Sequence, residues 1–250
     1  TASVCRGPQR HPVLSDDLAA RVRANLARIE ARVAEACRAA GRARDEVLLL
    51  AVSKEQPLES LCALHDAGVR DFGENRVQAY VQRTMDLAAR ADIRWHLIGP
   101  VQTNKARFLA EHRPALLHTV DRDALVAALE KRLDAGDPPL PCLLELNVDR
   151  EPQKAGVLPE GLDALADRVA ASPRLALRGV MAIPAQGERD AVRAAFDRVR
   201  QAAETVRDRV SGGPPVLSMG MSGDFEDAIA CGSTLVRVGT ALFGPRGQRC

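Results

Sequence analysis

The sequence predicts a closed (β/α)8 barrel, on three observations. Eight short apolar runs alternate with longer helix-like segments from residue 47 onward, and strict alternation of this kind builds a parallel sheet with right-handed crossovers. The runs are apolar on both faces, as strands covered by helices must be. Eight such repeats occupy about 200 residues, near the lower length limit for a closed barrel. An open, doubly wound sheet is the competing architecture. No G-x-G-x-x-G follows any run and no G-x-x-x-x-G-K-[ST] occurs, so the usual nucleotide-binding signatures of that sheet are missing.

An opening helix is expected over about Asp17–Ala40, where Leu18, Val22, Leu26, Ile29 and Val33 recur every three or four positions. Gly41 is placed to stop it, and Ser15 or Asp16 to cap its start. The apolar runs are Val47–Lys54, Val69–Glu74, Arg94–Gly99, Leu116–Asp121, Pro141–Val148, Leu177–Ile183, Pro215–Met221 and Thr234–Thr240. Helices are expected between them at Leu58–Ala67, Asn75–Ala91, Asn104–Glu111, Asp123–Leu133, Glu160–Ala171, Asp190–Val210 and Asp224–Ala230. Ala135–Pro141 and Ser211–Pro215 read as turns before the fifth and seventh strands. One barrel domain over residues 17–246 is expected, behind a flexible segment at 1–16 and ahead of a short tail at 247–250.

Composition removes several classes of function. With 46% apolar residues in 250, the chain can bury a substantial core. Its 35 basic and 33 acidic residues leave a net charge of +2, which argues against nucleic-acid binding by phosphate neutralisation. No apolar run approaches the roughly 20 residues that span a bilayer, and the N-terminus lacks the apolar stretch of a secretory signal. Six cysteines at 5, 37, 62, 142, 231 and 250 form no C-x-x-C and suit neither a zinc site nor a disulfide framework. A cytoplasmic monomer with no membrane partner is expected.

Only four of the 35 basic residues are lysines, at 54, 105, 131 and 154. Arginine cannot form an imine and does not deprotonate at working pH, whereas a desolvated lysine does both. Lys54 closes the first apolar run. If its side chain points inward, the two-residue period turns Val52, Leu50 and Leu48 inward with it. The amine then stands above an apolar floor, where desolvation favours the neutral nucleophile. A surface lysine just past a strand end is the plainer alternative.

Functional groups of such barrels gather at the C-terminal ends of the strands. Here those ends carry Ser53-Lys54, Gly73-Glu74-Asn75, His96 with Gly99, Asn147, Met219-Gly220-Met221-Ser222 and Gly239-Thr240. Each alone is more often a turn or a helix cap; their convergence on one mouth favours a site. Arg237 alternates with Val236 and Val238, so it shares the interior with Leu235 and Gly239. A guanidinium there needs an acceptor, and a buried structural ion pair would supply one. Phosphate in these barrels is commonly held by the loops after strands seven and eight. Met221-Ser222-Gly223 and Gly239-Thr240 provide glycines for close approach and hydroxyls to donate, although Ser222 could equally cap the following helix. A lysine, an arginine aimed at a ring and a phosphate cradle together suggest a phosphorylated aldehyde cofactor.

The segments AVSK (51–54) with Pro57, FGENRVQ (72–78), WHLIGPVQTNKAR (95–107), LLELNVDREPQKAGV (143–157), RGVMAIPA (178–185) and LSMGMSGDFEDAIACGSTLVRVGTALFGPR (217–246) carry a resemblance. Over about residues 17–246 the sequence resembles the pyridoxal phosphate homeostasis protein family, whose fold is the alanine racemase N-terminal barrel. The resemblance implies pyridoxal 5′-phosphate as cofactor and an internal aldimine at Lys54. It places Asn75 beside the cofactor, Arg237 at the pyridine nitrogen, and Ser222, Gly239 and Thr240 on the phosphate, with Met221 a further contact. An arginine at that nitrogen discourages its protonation and weakens the ring as an electron sink. Glu55-Gln56 departs from the family, where a threonine or phenylalanine followed by a lysine is common, so no second basic residue stands there.

The resemblance implies a non-catalytic carrier that binds the cofactor and releases or transfers it, with dependent apoenzymes as recipients. The alternative is an amino-acid racemase, which needs a base on each face of the substrate. Lys54 supplies one. The racemase resemblance calls for a tyrosine from a second, β-rich domain, and the matching sequence stops short of one. Tyr80 is expected on the helix after the second strand and Cys231 after the seventh, neither with a route to the site. A cofactor-free aldolase using Lys54 leaves Arg237 unexplained.

Overall fold

A computed structural model describes residues 16–244. The opening helix α1 (Asp16–Ala39) precedes β1 (Leu48–Val52), α2 (Leu58–Asp66), β2 (Asp71–Glu74), α3 (Val77–Asp86) and β3 (Arg94–Leu97). Next come α4 (Ala106–Glu111), β4 (Leu116–Val120), α5 (Asp123–Glu130), β5 (Leu140–Leu146), α6 (Leu162–Ala170) and β6 (Leu175–Ala182). The chain then runs through α7 (Arg189–Thr205), β7 (Val216–Ser218), α8 (Phe225–Ala230), β8 (Leu235–Val238) and α9 (Thr240–Phe243). The eight strands pair in sequence order, all parallel, and β8 closes on β1 with Leu48 opposite Leu235 and Leu50 opposite Arg237. This is the barrel that the alternation of runs requires.

Two apolar layers follow from the two-residue period. Leu50, Leu116, Leu143, Met181 and Leu235 fill the barrel interior, with Leu48, Ile98 and Val216 packed against them. Their neighbours Leu49, Ala51, Leu117, Leu144, Val236 and Val238 face outward into the layer under the helices. The expected inward set of β1 is therefore present, and Val236 and Val238 flank Arg237 from the outer side. α1 buries Val22, Ile29 and Val33 completely and packs against α2, α8 and α9. Each such aliphatic side chain contributes about 1.5–3 kcal/mol of burial. Across this seam Arg32 pairs with Glu226 and lies 4.6 Å from the Phe225 ring centre.

The differences from the sequence reading have local causes. α1 begins at Asp16, one residue early, so the last residue of the flexible segment expected at 1–16 is helical; the rest of that segment and the tail at 247–250 lie outside the described residues. α3 begins at Val77, not Asn75, and ends at Asp86, so Asn75 belongs to the strand-end loop. β7 keeps only three residues; beyond them Gly220 takes a left-handed φ of 90°, while the Met219 amide and the Gly220 carbonyl still bond Leu235 and Arg237 of β8. Any side chain at Gly220 would also meet Ala228 Cβ at 2.5 Å. Thr240–Phe243, expected as the end of a strand and the stretch after it, coils into α9, with the Leu242 and Phe243 amides bonded to the Gly239 carbonyl. Cys37, Cys62, Cys142 and Cys231 are free thiols.

Candidate functional site

The C-terminal ends of the strands open into a cavity of about 590 Å³. Lys54, Asn75, Met221, Ser222, Arg237, Gly239 and Thr240 all line it, so strands β1, β2, β7 and β8 bring the seven expected residues to one place. Val52 forms part of the wall below Lys54, and the interior leucines continue that apolar floor downward. Lys54 itself is half-buried in the turn after β1. Its loop is tied to β2 by Ser53, whose hydroxyl donates to Glu74 Oε1 at 2.7 Å. Burial pushes the Glu74 carboxyl above its ordinary range, against the opposing pull of Ser53, Arg83 and Lys54.

Asn75 reaches the cavity because the β3 end lets it. A Cβ built on Gly99 would fall 1.9 Å from the Asn75 carbonyl oxygen, so the two backbones touch where a side chain would stand. On the far wall, Met221 N–H donates to Asp224 Oδ1 at 2.6 Å, and Asp224 is the residue that precedes α8. Ser222 is therefore not the helix cap; it lines the cavity, half-buried, beside the exposed Gly223.

Arg237 is 4% exposed and meets carbonyls, not a carboxylate. Nη1 donates to the Ser218 carbonyl at 2.6 Å and to Ser218 Oγ at 2.7 Å, and Nη2 donates to the Ala182 carbonyl at 3.0 Å. An arginine carries five N–H donors; these bonds leave Nε–H and one Nη2 hydrogen for the cavity. Burial pushes the guanidinium down to about 10, with Asp224 and Glu145 opposing, so it remains a cation at neutral pH. The buried ion pair weighed as an alternative is absent among the described residues.

Of the other strand-end residues, Gly99 lines the cavity, but His96 and Asn147 do not come to the mouth. His96 is buried inside the barrel, 4% exposed and in contact with His118. Asn147 organises the loop after β5, its Nδ2 donating to the Glu151 carbonyl at 2.8 Å. Conversely, Ile98, Pro100, Gln56 and the β6–α7 residues Ile183, Gln186 and Gly187 complete the lining, and nothing in their residue types announces it. Tyr80 is buried, and its hydroxyl donates to the His112 carbonyl at 2.9 Å, away from the cavity.

Glu145 escapes a search of strand ends, although its alternation with Leu143 turns it inward. Burial, reinforced by Asp121, raises its carboxyl to about 7 against the pull of Arg237 and Arg122. Its Oε2 has no hydrogen-bond partner among the described residues. A carboxyl raised in the fold holds a proton that the unfolded chain has lost, so stability falls as pH climbs from about 4.5 to about 7. Glu145→Gln is expected to be more stable than the parent at pH 8 by roughly 2–3 kcal/mol, and close to it at pH 4. Urea midpoints at the two pH values check this; equal midpoints at pH 8 would contradict it.

Residues 19–247 match the family model of the alanine racemase N-terminal domain. The chain is 48% identical to the pyridoxal phosphate homeostasis protein of Pseudomonas aeruginosa over 89% of its length and 94% of that protein. Among solved structures, PipY of Synechococcus elongatus, with PLP bound, is 33% identical with a TM-score of 0.75, covering 89% of this chain and all of that one. Alanine racemase from Corynebacterium glutamicum shares the fold at 16% identity and a TM-score of 0.67, over 88% of this chain and 61% of the racemase.

Proposed function

The chain belongs to the pyridoxal phosphate homeostasis protein family, and on that premise we propose that its barrel-mouth cavity holds pyridoxal 5′-phosphate and that the protein stores and hands on this cofactor. The observation that carries the reading is one cavity lined at once by Lys54, by a buried arginine with two uncommitted donors, and by Ser222, Gly223, Gly239 and Thr240. Those residues fit the group in size and chemistry. When bound, it supplies an aldehyde carbon reactive toward amines and a ring that spreads charge.

Lys54 offers the amine, on a loop fixed through Ser53 and Glu74. Arg237 offers only donors, so it binds a ring nitrogen lone pair and opposes a proton there. Ser222 and Thr240 take the phosphate with their hydroxyls, and the glycines beside them admit it to the backbone. Thr240, Gly223 and Ile183 are exposed at the rim, which suits a site that must release its ligand.

Reversible proton removal on two faces needs two bases. Besides Lys54, the titratable groups lining the cavity are Asp224 and Arg237. Asp224 Oδ1 already accepts the Met221 N–H, and Arg237 has no basic atom to offer. This favours a carrier without substantial amino-acid turnover over a racemase. A monomer in the cytoplasm goes with this reading. Apoenzymes that need the cofactor are the recipients.

The test pairs two assays on the loaded protein freed of unbound cofactor. A dependent apoenzyme should gain activity on mixing, while α-proton exchange of alanine in deuterated water stays slow. Exchange at about 1 s⁻¹ or faster would overturn the carrier reading. Ser222→Ala and Thr240→Ala should each weaken pyridoxal phosphate by about 1–3 kcal/mol, the usual cost of losing a donor to a charged group. Pyridoxal without the phosphate should bind both variants as it binds the parent; titration calorimetry distinguishes the cases.

A further inference from the structure

A polar chain crosses the barrel interior. Arg237 Nη1 lies 2.7 Å from Ser218 Oγ, and Ser218 Oγ lies 3.0 Å from His118 Nδ1. His118 Nε2 lies 3.0 Å from His96 Nδ1, and His96 Nε2 lies 3.2 Å from Asp71 Oδ1. Asp71 is held from the far side by Arg94, whose Nε donates to Oδ1 at 2.8 Å. The five linked residues sit on β8, β7, β4, β3 and β2 and are each 5% exposed or less. Arg94, at the N-terminal end of β3, has a side chain 57% exposed. The chain thus joins the floor of the barrel to the guanidinium in the cavity.

Donor chemistry fixes its direction. Arginine can only donate, so Ser218 Oγ accepts from it and must send its own proton elsewhere. Among the described residues, the acceptor in reach is His118 Nδ1. That nitrogen then carries a lone pair, and the His118 proton sits on Nε2 and donates to His96 Nδ1. His96 in turn keeps its proton on Nε2 and donates to Asp71, which only accepts. Burial above all, with the Arg237 cation adding to it, holds the His118 imidazole well below its ordinary range, in its neutral form. Burial pushes the Asp71 carboxyl up, but bonds from His96 and Arg94 outweigh it and keep it ionised. Run in the opposite sense, the chain would set two donors against Ser218 Oγ and leave the serine proton without an acceptor.

We propose that Asp71, His96, His118 and Ser218 are positioning residues: a one-way hydrogen-bonded chain that orients Arg237 so that Nε–H and one Nη2 hydrogen face the ring of the ligand. The proposal rests on the cavity being the cofactor site for its ligand half only. The chain itself is made only of the protein's own side chains, and it deepens the role of Arg237 without touching the phosphate loops.

Two measurements test it. Long-range ¹H–¹⁵N spectra of the parent at pH 7 should show His96 and His118 both protonated on Nε2 and both bare on Nδ1. A proton on Nδ1 of either ring, or a charged ring, overturns the chain. Titrations of His118→Phe and Ser218→Ala should then show pyridoxal phosphate affinity lowered about tenfold or more, the loss of one charge-assisted bond, with inorganic phosphate affinity unchanged. His118→Asn, which can restore an acceptor near Nδ1, should recover most of the loss. Equal loss of phosphate affinity, or no recovery with asparagine, would reduce these residues to a structural role and overturn the proposal. If the parent binds no pyridoxal phosphate at all, the cofactor reading fails while the histidine spectra still decide the chain.

Discussion

Lys54→Ala is expected to abolish covalent attachment of pyridoxal phosphate while the barrel stays folded. The side chain stands half-buried in the turn after β1 and has no hydrogen bond or ion pair among the described residues. Its removal opens no core cavity and takes away only one of several charge effects on the buried Glu74, so stability should change by no more than about 1 kcal/mol. The chemical effect is total by contrast, because the other lysines, 105, 131 and 154, do not line the cavity. Borohydride reduction of the loaded parent followed by peptide mapping should place the pyridoxyl mass on the peptide containing Ser53, Lys54 and Glu55. A label on Lys105, Lys131 or Lys154, or an undiminished label in the alanine variant, would remove Lys54 from its role.

The second large effect is structural. Gly99→Ala should destabilise the protein by about 3 kcal/mol or more, because the new methyl would stand 1.9 Å from the Asn75 carbonyl oxygen and 2.6 Å from its carbon. Neither atom belongs to a flexible side chain, so the β2 and β3 ends must separate. Asn75 and Gly99 both line the cavity, and the separation should therefore weaken ligand binding as well. Gly223→Ala is the control, since a Cβ there meets nothing within 4 Å. Thermal or urea unfolding of the two variants decides the matter: equal stability would mean that the strand ends yield freely.

Much of this molecule was legible in the order of its residues. Alternating runs such as Val47–Lys54 and Thr234–Thr240 dictated strand number, direction and inward faces, since each is a local property of two- and three-to-four-residue periods. The scarcity of lysine drew notice to Lys54, and the period of two turned Arg237 inward. Both side chains line the cavity in the structure, because neither placement needs to know what lies across the barrel.

What the sequence could not determine is which inward polar groups meet. His96 looked like a strand-end residue at the mouth, yet it bonds Asp71 from β2 and His118 from β4 deep in the interior. Ser218 and His118, a hundred positions apart in sequence, come together only when β4 and β7 face each other across the closed sheet. The orphaned Oε2 of Glu145 and the contact of Gly99 with Asn75 are likewise set by barrel closure and strand stagger. The pattern of each strand says which side chains point inward; the relative height of the strands, fixed only when β8 pairs with β1, says which of them touch.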